Sequence, residues 1–63
     1  MKPYICTKMD WDYGIVDVFL IVDKIDDFFL KGFDDVDWQK ADEYAESIAS
    51  ILNLEFVGDR TDT

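Results

Sequence analysis

The sequence predicts an α+β fold: a small antiparallel β-sheet of three or four strands, in the order β-β-β-α-β, packed against one main helix at about 35–53. Three observations lead there. Val18-Phe19-Leu20-Ile21-Val22 is an unbroken apolar run, with Phe19 and Ile21 on one face and Val18, Leu20 and Val22 on the other, as in a central strand. Ala41, Tyr44, Ala45, Ile48, Ile51 and Leu52 recur at i, i+3, i+4, i+7, i+10 and i+11, a single helical stripe. Turn-forming clusters at Asp10–Gly14 and Asp23–Asp27 separate segments rich in β-branched and aromatic residues.

Each element follows in order. Residues 3–9 form a first strand, with Pro3 tolerable at its start, and Gly14 offers a positive φ for the turn after it. Ile15–Val22 returns as the second strand of a hairpin. Residues 24–31 admit two readings. Ile25, Phe28 and Phe29 have helical spacing, with Asp23 as a possible N-cap and Gly32 past the end. A third strand over 28–32 is preferred, because so short a helix is marginal and aromatic residues fit sheets. The main helix starts from Asp34 as N-cap, with Phe33 and Trp38 placed for a hydrophobic staple and Asp35 and Asp37 in a first turn whose dipole favours anions. Asn53 ends it, Leu54–Val57 forms a last short strand, and 58–63 is expected to fray.

Sixty-three residues make one domain, 1–63. A chain this small buries only roughly 60% of its unfolded surface, so its ten aromatic residues matter to stability. Cys6 is the only cysteine and sits in strand-like surroundings, so it reads as a small buried hydrophobe in a reducing, cytoplasmic setting. The N-terminus lacks the apolar stretch of a signal peptide, and the run at 18–22 is far too short to cross a bilayer.

The charge is concentrated. From Asp10 to Glu46 twelve acids stand against three lysines, which accounts for the whole net charge of −9. That excludes direct binding to nucleic acid or anionic lipid and points to a basic partner. With no histidine to serve Ser47 or Ser50 as a base, and little cleft in such a layer, no enzyme is expected. No cofactor or metal is expected either. Asp10-Trp-Asp-Tyr-Gly14 has acids where a calcium loop starts, but its glycine is one place early and the closing glutamate is missing.

Antiparallel order brings the first loop and the helix start to one end of the sheet. Asp10, Trp11, Asp12, Asp34, Asp35, Asp37, Trp38, Asp42, Glu43 and Glu46 are therefore the candidate partner-binding residues, with Asp42, Glu43 and Glu46 pointing away from the helical stripe. Like charges at i, i+4 cost about 0.2–0.5 kcal/mol per pair. Turn chemistry, capping and solubility explain many of the acids, but not the scarcity of lysine among them.

The stretches "MDWDYG" and "GFDDVDWQKADEYAE" carry a resemblance that covers the whole chain in length, acidity and layout. The chain resembles the small, strongly acidic DNA-mimic proteins of phages and mobile elements, among them anti-CRISPR inhibitors of type I surveillance complexes. That class shares no motif, so it assigns no residue. The resemblance implies a non-enzymatic inhibitor, monomeric or homodimeric, whose acids at 34–46 occupy a DNA channel on a basic DNA-binding protein or ribonucleoprotein complex in the host cytoplasm. An ordinary interaction module, antitoxin-like or a small subunit, is the alternative.

Overall fold

A computed structural model describes residues 2–23 and 26–59 of the chain. Four strands, β1 (Tyr4–Asp10), β2 (Ile15–Ile21), β3 (Asp27–Asp34) and β4 (Glu55–Asp59), form one sheet in the spatial order β3-β2-β1-β4. A single 3-10 turn (Asp35–Asp37) leads into helix α1 (Trp38–Leu52), which lies between β3 and β4 in the chain. This is the predicted α+β architecture and element order.

β1, β2 and β3 form the expected antiparallel meander, but the sheet is mixed rather than antiparallel throughout, because β4 runs parallel to β1. The direction of β4 follows from the alternation. β3 runs the same way as β1, α1 returns the chain to the opposite end, and β4 starts where β1 starts. An antiparallel β4 would have needed one more reversal.

Residues 27–34 settle the two readings of the third segment in favour of a strand. Ile25, part of the helical alternative, lies outside the described residues. Asp23 caps a turn instead: its Oδ1 accepts the Asp26 backbone N–H at 2.7 Å, and the Asp26 carbonyl accepts the Val22 N–H at 3.0 Å. β3 also carries a bulge. Val18 pairs with Lys31 but Phe19 with Phe29, so Leu30 is an extra residue on the outer strand.

The helix packs on one face of the sheet through small residues. Ala41, Ala45 and Ala49 are buried against Ile5, Val16 and Val18, with Met9, Leu20, Leu30, Phe33, Tyr44, Ile48, Leu54 and Phe56 around them. An alanine line lets the helix backbone approach the strands closely. The predicted stripe was turned too far. At 100° per residue, the buried line is centred about 60° away from the middle of the predicted set, toward Ala49. Ile51, on the far flank, is accordingly 77% exposed, and Leu52 in the last turn is half-exposed.

The C-terminus of α1 matches its prediction. Asn53 adopts φ 57°, ψ 44°, and the N–H groups of Asn53 and Leu54 donate to the carbonyls of Ser50 (3.2 Å) and Ala49 (2.8 Å), the paired bonds of a Schellman motif. The expected fray from residue 58 is corrected in part. Gly58 and Asp59 continue β4, paired with Cys6 and Thr7, because a slip in register after Ile5 takes up one residue of β4. Residues 60–63 of that tail lie outside the described residues.

Among the described residues, no helix lies over the other face of the sheet. Cys6, a thiol outside any disulfide, is nevertheless fully buried there, and Ile21 nearly so. Neighbouring side chains do the covering: Lys8 lies with its ammonium 5.0 Å from the Phe19 ring centroid, and Phe19 meets Phe29 edge-on at 5.9 Å. No helix among the described residues is long and apolar enough to cross a membrane.

Candidate partner-binding surface

Two loops meet at one end of the sheet. Ile15, the first residue of β2, pairs with Asp34, the last of β3, so the turn after β1 and the approach to α1 are adjacent. The contact is made by backbone: the Asp35 N–H donates to the Gly14 carbonyl at 2.8 Å. Gly14 has φ +63°, and a Cβ placed on it would lie 3.4 Å from Asp35 Oδ2. That contact is an ordinary one, and it is the left-handed φ that favours glycine here.

The turn is held by its own aspartate. Asp10 Oδ1 accepts the Asp12 N–H at 3.1 Å, and the Asp10 carbonyl accepts the Tyr13 N–H at 3.3 Å. Trp11 and Tyr13 are thereby directed outward and are largely exposed. Across the Gly14–Asp35 bond the 3-10 turn presents Asp34 and Asp35, both exposed, and Asp37, half-buried. Val36 between them is 81% exposed. It was not among the predicted residues, and its only signal in the sequence is that it falls off the apolar stripe.

Capping explains less of this charge than expected. Asp34 precedes the 3-10 turn in extended conformation and Asp37 precedes α1, yet neither side chain makes a capping hydrogen bond. What remains for Asp35 and Asp37 is the dipole of the helix start, worth about 0.3–1 kcal/mol at an exposed site. Lys40 Nζ approaches Asp37 at 3.9 Å with its side chain mostly in solvent, an ion pair of little weight.

The predicted staple is replaced by two separate contacts. Phe33 stacks on Tyr44 with ring centroids 5.7 Å apart, under the ammonium of Lys31. Trp38, 51% exposed, instead lines a shallow hollow with Thr7, Met9, Val16 and Asp42. Asp42 is correspondingly half-buried on the flank of the helix beside that indole, rather than pointing away from the stripe as predicted. The rotation of the helix toward Ala49 explains this, since it carries Asp42 toward the sheet. Glu43 and Glu46 do face outward, along a shallow groove with Ser47, Ser50 and Ile51.

The ten predicted residues therefore fall into two groups. Asp10, Trp11, Asp12, Asp34, Asp35 and Asp37 converge at one end, and Trp38, Asp42, Glu46 and Glu43 continue from there along and around α1. Asp17 lies behind the first group, on the sheet face away from the helix. Burial pushes its carboxyl above the ordinary value of 3.8, and the charge of Asp10 pushes it further the same way. Comparisons of the chain with known families, curated proteins and solved structures find no match in any of the three.

Proposed function

We propose that the protein is a non-enzymatic inhibitor that presents this negative surface to a basic nucleic-acid-binding protein or ribonucleoprotein complex, such as a type I CRISPR surveillance complex, and blocks its binding of target DNA. The observation that carries this is the Asp35–Gly14 backbone bond, which holds two acidic loops together as one rigid end flanked by exposed indoles. Duplex DNA carries one charge per roughly 1.7 Å of axis, so the grooves that bind it are lined with lysine and arginine. A fixed set of carboxylates can fill such a groove, and the long-range field speeds its arrival. Trp11 and Trp38 are placed to act as anchors within the charged rim.

The test is competition. The immobilised protein is exposed to host-cell lysate, and retained complexes are challenged with duplex DNA and with stepped salt. Elution by both, and loss of retention with Asp34→Lys, Asp35→Lys, Asp42→Lys and Glu46→Lys combined in a variant that keeps its circular dichroism spectrum, is the expected result. Full retention by that variant overturns the proposal. The second reading is an interaction module that docks through apolar contacts. The exposure of Phe28 and Phe29 favours it, and retention that neither DNA nor high salt reverses would select it.

A further inference from the structure

A different surface, the outer edge of β3, has a composition of its own. β3 is the longest strand of the sheet and, among the described residues, pairs on one side only, with β2, so alternate backbone N–H and C=O groups face outward along it. Phe28 and Phe29 are 53% and 60% exposed, on opposite faces of this edge. The bulge at Leu30 changes which side chains share a face. Asp27 and Asp34 are an odd number of positions apart and would point to opposite faces of a regular strand. With one residue taken up by the bulge, Asp27 pairs with Ile21 and Asp34 with Ile15, which puts both carboxylates on the face away from the helix. Between them on that face lie Phe29 and Gly32, paired with Phe19 and Asp17. Gly32 brings the edge close to the Asp17 carboxylate: a Cβ there would come within 3.1 Å of Asp17 Oδ1 and 3.6 Å of the tip of the Phe29 ring.

We propose that this edge binds a short extended segment of another protein, added as a fifth strand, with cationic side chains about six residues apart on one face and apolar ones between them. One cation meets Asp27, the apolar residues lie against Phe29, and the second cation meets Asp34. Asp27 already approaches Lys8 at 3.8 Å, but both side chains are about half-exposed, so the exchange for a partner's cation costs little. A second copy of β3 fits poorly. Run antiparallel it sets Asp27 against Asp34 twice, and run parallel in register it sets each aspartate against itself, and like charges directly opposite are destabilising. The bulge interrupts the β2–β3 ladder between 29 and 31, and the eight residues of β3 limit the occupant to a short segment.

The proposal does not rest on the inhibitor function and is tested without DNA. The probe is the capped peptide Lys-Thr-Val-Thr-Val-Thr-Lys, titrated into the isotope-labelled full chain while backbone amide shifts and hydrogen exchange are followed. Expected are shifts and added protection confined to 27–34, binding at least about tenfold tighter than for the same peptide with glutamate at both ends, and loss of binding when alternate peptide amides are N-methylated. In the double variant Asp27→Lys, Asp34→Lys the preference between the two peptides inverts. Equal binding of both peptides overturns the proposal, as do shifts confined to 10–14 or α1. Protection of 27–34 that grows with protein concentration in the absence of peptide overturns it too, since a second copy would then be the occupant.

Discussion

The two faces of the sheet solve the same problem in different ways. On one, α1 lays a line of alanines over Ile5, Val16 and Val18 and excludes water with its backbone close by. On the other, no second layer lies among the described residues, and Cys6 and Ile21 are buried on a face where Lys8, Phe19 and Phe29 pack on one another. The difference teaches where substitution is tolerated. A face sealed by small residues has no room to grow, while one sealed by Lys8, Phe19 and Phe29 can rearrange.

The sharpest way to break this contrast is Ala45→Leu. Added volume under the helix forces it off the strands, and a loss of about 1–3 kcal/mol is expected in urea unfolding. Gly14→Ala comes next, at about 1–2 kcal/mol, because a side chain is forced into the left-handed region beside Asp35. Phe29→Ala removes an edge-on ring contact from the uncovered face and is expected to cost about 0.5–1.5 kcal/mol by the same measurement, less than the alanine change under the helix. If Phe29→Ala destabilises more than Ala45→Leu, the assignment of the two faces is wrong.

The smallest effect is the pH dependence of Asp17. Its folded-state pKa is raised, so the native state binds the proton more tightly than the unfolded chain does. Stability tied to this group is fully present below 3.8 and is lost as pH rises through the raised value. Asp17→Asn should therefore raise the melting temperature slightly at neutral pH. The gain should vanish below pH 3.8, and a gain that persists there would point to packing rather than charge.

The elements were legible in the residues because local signals agreed. The Asp10–Gly14 turn, the run at 18–22 and Asn53 each acted through chemistry close in sequence. The meeting of the first loop with the helix start was also legible, since it needs only alternation of strand direction. Three features depended on tertiary contact. The rotation of α1 toward Ala49, and with it the position of Asp42, is set by how closely alanine lets a helix approach a sheet. The bulge at Leu30 had one local signal, Gly32 inside the strand, but a glycine there also suits the end of a helix over 24–31. Trp38 turned to the Met9 and Val16 hollow because Tyr44 already occupied Phe33.

The position of β1 has a consequence for synthesis. It is made first, yet it lies inside the sheet and receives β4 only after the rest of the fold has been laid down, from residues about fifty positions away. Until Glu55–Asp59 has been made, a nascent chain shows β1 as a second bare edge, beside the Cys6 thiol. A released chain cut short of that strand would leave β1 as an edge of the sheet. Completion of the last strand thus replaces a seven-residue edge by a five-residue one, and short edge strands recruit other chains less readily.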